Sequence, residues 1–229
     1  MDRSRIMGPR RGAFRKQTTL CLVCTAAVLL AGCGGSSHKA SSTSSVPTSS
    51  TTPAASATPS GIRGRLLTGN ELAGFTSGGV AVYTTAQEWL SNPNDQQPAA
   101  QAAAEKAMLT REGFRAGAVE NLTGDGTPDG GLSILEQFRS LRAARDALAF
   151  YISQQKEPQV QSTDGTYASF KVSGIPGAVG YSLGGASGGI NIAFTHGNYY
   201  YLVGREGGSP PDIAGLRAAA RHLYQRVPG

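Results

Sequence analysis

Apolar and polar positions divide the chain into three stretches of different character. Residues 18–32, TTLCLVCTAAVLLAG, form one uncharged apolar run, and residues 34–60 hold almost no large apolar side chain. From about Ile62 to Val227 apolar positions recur at helical or strand spacing. Within that third stretch the pattern predicts a helical turn near 70–73 and a helix over 85–90 that carries the only tryptophan, Trp89. A third helix opens at Pro98, presents Ala100, Ala103, Ala104, Ala107 and Met108 on one face, and stops at Gly113. Strands are expected at 118–122 and 132–138. Ser140 then caps a helix whose apolar stripe is Leu141, Ala144, Leu148, Tyr151 and Ile152. Strands follow at 168–172, 179–183, 190–194 and 199–203, with Thr195-His196-Gly197-Asn198 as a hairpin tip. A last helix opens on Ser209-Pro210-Pro211-Asp212 in a capping-box pattern and buries Ile213, Leu216, Ala220, Leu223 and Val227. Few parallel crossovers are available in this order. The expected fold is α+β: a single domain with a mostly antiparallel sheet of about five or six strands and helices packed on it.

The first seventeen residues carry Arg3, Arg5, Arg10, Arg11, Arg15 and Lys16 against one acid, Asp2. A basic segment followed by a short apolar run is the pattern of a secretory signal. The run is shorter than the ~20 residues that span a bilayer as a helix. It ends in Leu30-Ala31-Gly32-Cys33. Leader and box together resemble the lipobox of bacterial lipoproteins, in which small residues precede an obligatory cysteine. The resemblance implies a diacylglyceryl thioether and palmitate on Cys33, cleavage between Gly32 and Cys33, and anchoring to the extracytoplasmic face of the cell membrane by lipid chains. Arg10-Arg11 raises twin-arginine export, but Phe14 lies one place further on than that pattern expects.

The expected organisation is therefore residues 1–32 as a removed signal peptide, 33–60 as the lipidated cysteine with a disordered Ser/Thr/Pro-rich tether, and 61–229 as the folded domain. As a flexible coil the tether would span roughly 28 Å. Its Ser/Thr density would also suit O-glycosylation. The full chain has 21 Lys+Arg and 15 Asp+Glu. Six of the former and one of the latter lie in the leader, so the remainder is close to +1 and carries no basic footprint for nucleic acid. Of the three cysteines, Cys21 and Cys24 lie in the leader and Cys33 takes the lipid, so the domain relies on an ordinary core.

Several motifs invite chemistry. Gly185-Ala186-Ser187-Gly188-Gly189 fits G-x-S-x-G, and Asp212 and His222 follow in the order used by α/β-hydrolases. A nucleophile elbow needs a helix after the serine, whereas a strand is expected here. Asp212 and His222 also fall on one helix roughly 15 Å apart. Asp125-Gly126-Thr127-Pro128-Asp129-Gly130, with Leu132 and Glu136, matches much of a calcium-binding EF-hand loop, with Thr127 in place of an acid. That loop requires Glu136 on a helix, whereas the alternation around it reads as a strand. His196 and His222 are the domain's only histidines and have no cysteine to join them at a transition metal. Tyr199, Tyr200 and Tyr201 could offer an aromatic platform for sugar, although alternation sends Tyr200 to the opposite face. Gly174-Ile175-Pro176-Gly177-Ala178 reads as a wide turn or a ligand-contact loop. Asn121-Leu122-Thr123 is a glycosylation sequon by pattern only.

The third stretch resembles the unassigned C-terminal domains of lipoproteins from high-GC Gram-positive bacteria. The resemblance is carried by Gly113-Phe114, Phe138 before a helix, the segment from Phe170 to Ala178, Asn191 to Phe194, and Tyr199 to Val203. It implies no activity. The expectation is a membrane-anchored, non-enzymatic binding or accessory domain of the cell envelope, with no cofactor and a lipid, glycan or protein ligand. The alternatives are an envelope serine hydrolase using Ser187 and a sensory or regulatory domain for a membrane partner.

Overall fold

Three consecutive tyrosines set the layering. Tyr199 and Tyr201 point to one side of their strand and Tyr200 to the other, and all three are buried. A strand covered on both faces requires apolar layers above and below it. A computed structural model describes residues 59–92, 98–125, 129–158, 160–161, 166–184, 189–206 and 212–228. The leader, Cys33, the tether as far as residue 58, and Ser187 lie outside the described residues.

The order of elements is α1 (Pro59–Arg63), a 3₁₀ turn (Gly69–Glu71), β1 (Phe75–Tyr83), α2 (Ala86–Leu90), α3 (Ala99–Glu112), β2 (Phe114–Gly124), β3 (Gly130–Phe138), α4 (Leu141–Gln154), β4 (Tyr167–Phe170), β5 (Val179–Leu183), β6 (Ile190–His196), β7 (Tyr199–Glu206) and α5 (Ile213–Arg226). The strands form one sheet in the order β1-β2-β3-β7-β6-β5-β4, every pair antiparallel. The α+β expectation holds, with seven strands in place of five or six. The extra strand is β1. Gly78 and Gly79 interrupt its alternation, its register shifts between Ser77 and Gly79, and Gly79 takes φ 117°. A bulge of this kind is tolerated because β1 lies at the sheet's edge.

One face of the sheet is covered by α1 and α5, where Ile62, Leu216 and Leu223 meet Leu135, Phe194 and Tyr201. The other face carries α2, α3 and α4, where Trp89, Met108, Leu109 and Leu148 meet Val119, Phe138 and Tyr200. Gly113 closes α3 in the left-handed conformation, φ 65°. The Ser140 hydroxyl accepts from the Ala143 N–H at 3.1 Å and starts α4, as its sequence position predicts. Two expectations need correction. Asp212 caps α5, accepting from the Gly215 N–H at 2.8 Å, so the helix starts later than a cap at Ser209 implied. Leu141, assigned to the buried stripe of α4, is exposed, because it precedes the turn that first touches the sheet. Among the described residues no helix is long and apolar enough to cross a membrane.

Candidate functional site

Between α3, α4 and the sheet lies a cavity of ≈ 280 Å³. Its walls are aromatic and acidic: Trp89 from α2, Glu105 from α3, Glu136 from β3, Tyr151 from α4, Tyr181 from β5 and Tyr200 from β7. Val119, Leu132, Ile134 and Leu202 complete the sheet side, and exposed Asn121 stands at the rim.

The position of Trp89 follows from local rules. Thr85 caps α2, with the Glu88 N–H donating to its hydroxyl at 3.1 Å and the Glu88 carboxylate accepting from the Thr84 N–H at 2.8 Å. Those bonds hold the Glu88 carboxyl below its ordinary range. The indole then meets Tyr83 edge-on at 5.5 Å and Phe114 at 5.9 Å between ring centroids. Beneath it is Gly117, where a Cβ would come within 2.5 Å of the ring. So seated, the indole Nε1–H donates to Glu105 Oε1 at 3.1 Å.

Glu105 and Glu136 are both nearly fully buried. The Tyr151 hydroxyl lies 2.8 Å from Oε1 of each, joining α3, β3 and α4. A hydroxyl carries one proton, so it cannot donate to both at once. Although Tyr151 as a whole keeps some solvent contact, its hydroxyl lies deep. Burial first, then the charges of Glu136 and Glu105, hold its phenol well above the ordinary value. Tyr200 is raised for the same reasons, burial again being the largest, and Tyr181 is raised chiefly by burial. All three remain neutral hydroxyls at any physiological pH. The Tyr151 and Tyr200 rings lie 5.0 Å apart, and Tyr181 stacks on Tyr167 at 5.6 Å. Tyr181 and Tyr200 are each more than nine-tenths buried against the cavity, yet among the described residues neither hydroxyl has a hydrogen-bond partner.

The candidates singled out from sequence are dispersed. Ser187 lies outside the described residues, but its flanks do not. The Leu183 N–H donates to the Gly189 carbonyl at 3.0 Å, and β5 and β6 pair antiparallel, so a strand follows that segment. Asp212 caps α5, and His222 pairs with Glu71 at 3.2 Å. Asp129 pairs with Arg205 at the end of the β2–β3 hairpin, whereas Glu136 sits six residues along β3, roughly 20 Å away at strand rise. Asp129 and Glu136 are therefore not brought together, and residues 126–128 of the calcium pattern lie outside the described residues. His196 stacks on Tyr224 at 4.4 Å. Buried Tyr199, Tyr200 and Tyr201 form no surface platform, and the Gly174–Ala178 turn plants Ile175 in the core. Among the described residues no three His, Cys, Asp or Glu side chains cluster to hold a metal.

Sequence reasoning missed Glu105, Trp89 as a site residue, Tyr181, and the role of Tyr151. On α3 it chose four alanines with Met108, and only Met108 is in the buried stripe. The buried stripe is Glu105, Met108, Leu109 and Glu112. The signal was present: two acids share the face of the helix's only large apolar side chains.

Together these features define a three-layer α+β domain with a polar-aromatic cavity beneath one helical layer. No protein-family model matches the chain, and no curated protein matches it. Among solved structures it is similar to the extracellular domain of PknH from Mycobacterium tuberculosis, at 12% identity and a TM-score of 0.50, over 77% of this chain and 99% of that one. The likeness is one of fold.

Proposed function

We propose that the chain is an extracytoplasmic lipoprotein, anchored through lipid on Cys33, whose folded domain binds a small ligand in the cavity between α3, α4 and the sheet without transforming it. The observation that carries the reading is the pair of buried tyrosines, Tyr181 and Tyr200, that line the cavity with no protein hydrogen bond to either hydroxyl among the described residues. Hydroxyls that face a cavity rather than a protein partner are suited to a ligand. The leader and Leu30-Ala31-Gly32-Cys33 support the address, as does the fold's likeness to an extracellular domain.

Catalysis by the two carboxyls is the rival reading. Their Oε1 atoms lie no more than about 5.6 Å apart, twice 2.8 Å, which is near the separation used by retaining glycosidases. In this chain the Tyr151 hydroxyl stands between them, where the reacting carbon of a sugar would have to lie. That obstruction favours binding.

Trp89 is the chain's only tryptophan and lines the cavity, so its emission reports occupancy. A small-molecule extract of the cell envelope, fractionated and titrated into the protein, should give a saturable change in Trp89 fluorescence. Leu202→Phe, which fills the cavity, should abolish it. A saturable signal that survives Leu202→Phe, or a fraction that the protein chemically converts, would overturn the reading.

A further inference from the structure

We infer, on the reading that Cys33 carries lipid, that the domain docks on its own membrane through the face of α1 and α5. A cluster of arginines there meets an anionic phospholipid surface, and the cavity on the other side of the sheet is turned outward.

α5 bears Arg217, Arg221, His222 and Arg226 and no acid. The helices of the opposite face mix their signs: Arg142 lies 3.7 Å from Asp146 on α4, and Arg111 2.6 Å from Glu112 on α3. Arg63 at the end of α1, Arg65 just after it, and Lys171 just after β4 join the α5 surface. Contacts tie the cluster together. The Arg226 guanidinium donates to the Gly64 and Leu66 carbonyls at 2.6 Å and 2.7 Å, Arg65 to the Pro228 carbonyl at 2.7 Å, and Arg217 to the Lys171 carbonyl at 2.7 Å. Arg217 therefore leans toward β4 and Arg226 toward α1, with exposed Arg221 between them. Along the axis Arg217 and Arg226 stand roughly 14 Å apart at helical rise.

Bonds to neutral carbonyls fix these groups and leave their charge in place. Among the described residues the carboxylate paired within the cluster is Glu71, 2.9 Å from Arg226 and 3.2 Å from His222. Arg63, Arg65, Lys171, Arg217 and Arg221 make no salt bridge among the described residues. The nearby acids Asp129 and Asp212 pair with Arg205 instead. Beyond the leader the chain is close to charge balance, so the cluster is a local excess that the overall count conceals. A surface of one sign attracts a surface of the other.

The point of attachment selects the membrane as that surface. Residues 34–58 join Cys33 to α1, which belongs to the cationic face itself. A tether of this length keeps that face at high effective concentration beside its own bilayer, so an attraction too weak to recruit a free protein suffices. Each Lys or Arg near an anionic bilayer strengthens partition about fivefold. The cavity lies between the sheet and α3 and α4, on the opposite side from α5, and stays accessible in the docked state.

The test uses the chain extracted from host membranes and reconstituted in two kinds of vesicle, phosphatidylcholine alone and phosphatidylcholine with an equal part of phosphatidylglycerol. An uncharged acetylating reagent and mass spectrometry read the rate at each lysine. Lys171 reports the cationic face, and exposed Lys106 and Lys156 report the other. On the anionic vesicles Lys171 should react about tenfold or more slowly than on the neutral ones, with Lys106 and Lys156 unchanged. Raising salt from about 0.1 M to about 1 M, which shortens the screening length from roughly 10 Å to 3 Å, should remove the difference. Arg63→Gln with Arg221→Gln should remove it too, and Arg63→Lys with Arg221→Lys should keep it. The vesicle and salt comparisons need no variant, so they stand even if a substitution unfolds the domain. Equal Lys171 rates on both vesicles, or equal slowing of all three lysines, would overturn the inference. So would protection of Lys171 by soluble poly(glycerol phosphate) but not by anionic vesicles, which would make the face a site for a polymer. A chain retained on both vesicles with Lys171 equally reactive keeps the anchor and loses the docking. A chain washed from neutral vesicles but held, with Lys171 protected, on anionic ones keeps the docking and loses the anchor. A chain washed from both loses both.

Discussion

Gly117→Ala is the smallest change that should disturb both the fold and the site. Gly117 lies in β2 beneath the Trp89 indole, and its backbone does not occupy the left-handed region, so the cost is steric alone. The new methyl would stand 2.5 Å and 2.7 Å from two indole carbons and 3.1 Å from the Phe114 ring. Ordinary contact begins at 3.4 Å, so the indole must withdraw by about 0.9 Å. Tyr83 and Phe114 box it in, and Glu105 holds its N–H at 3.1 Å. Overpacking of this kind costs about 1–3 kcal/mol. Loss of a hydrogen bond to a carboxylate adds about 1.5–3 kcal/mol. Replacing a strand glycine with alanine returns about 0.5–1 kcal/mol. The net expectation is a loss of about 1.5–5.5 kcal/mol, which lowers the melting temperature by roughly 3–20 °C in a domain of this size. Urea unfolding followed by far-UV circular dichroism measures the first quantity, and Trp89 emission reports the displaced indole. A variant within about 0.5 kcal/mol of the parent, with unchanged emission, would refute the argument, since that is the scatter of neutral substitutions.

Cys33→Ala should abolish lipid labelling and release the chain from membranes. A variant that stays with membranes through a high-salt wash and still carries label would show the anchor to be elsewhere. At Glu71 burial pushes the carboxyl up, but the Thr68 N–H and hydroxyl and the Arg226 guanidinium outweigh it and leave it below its usual 4.5. A depressed carboxyl stabilises the fold above its unfolded value and loses that contribution as pH falls through the folded one. Glu71→Gln should therefore flatten the loss of stability below about pH 4.5, read as urea midpoint against pH. An unchanged acid limb would contradict the assignment. Ser187 should not react with a fluorophosphonate probe, and stoichiometric labelling that vanishes in Ser187→Ala would promote the hydrolase alternative.

Periodicity made most of the fold legible because most elements bury one clean stripe. Leu216, Ala220 and Leu223 on α5, and Ile190, Ile192 and Phe194 on β6, announce themselves in this way. β1 escaped because two glycines and a bulge break its alternation at an exposed edge. The candidate site was less legible. Motif reasoning works along the chain, and it favoured residues that share a loop, such as Asp125 to Glu136 or Ser187. The cavity gathers Trp89, Glu105, Glu136, Tyr151 and Tyr200 from five separate elements. No local spacing encodes that assembly. It appears only once the antiparallel order places β3 beside β7 and lays α3 and α4 across them.

The same topology explains why the acids are instructive. Position 136 lies between Leu135 and Phe138 in a central strand, and position 105 shares a helix face with Met108 and Leu109. Leucine at either site would satisfy the periodicity of its element and bury apolar area at about 25 cal/mol per Å². Carboxyls there must be desolvated and held by Trp89 and Tyr151, and a polar network of this kind is commonly no more stable than its apolar replacement. Nor does it place the strands. Their register follows from hairpins such as β6–β7, turned by Gly197 at φ 57°, and from the apolar stripe on the opposite face. A feature that stabilises the core no better than leucine would, and does not set the register, needs another reason to be where it is. A cavity beside it, walled by rings and open hydroxyls, supplies that reason in a ligand.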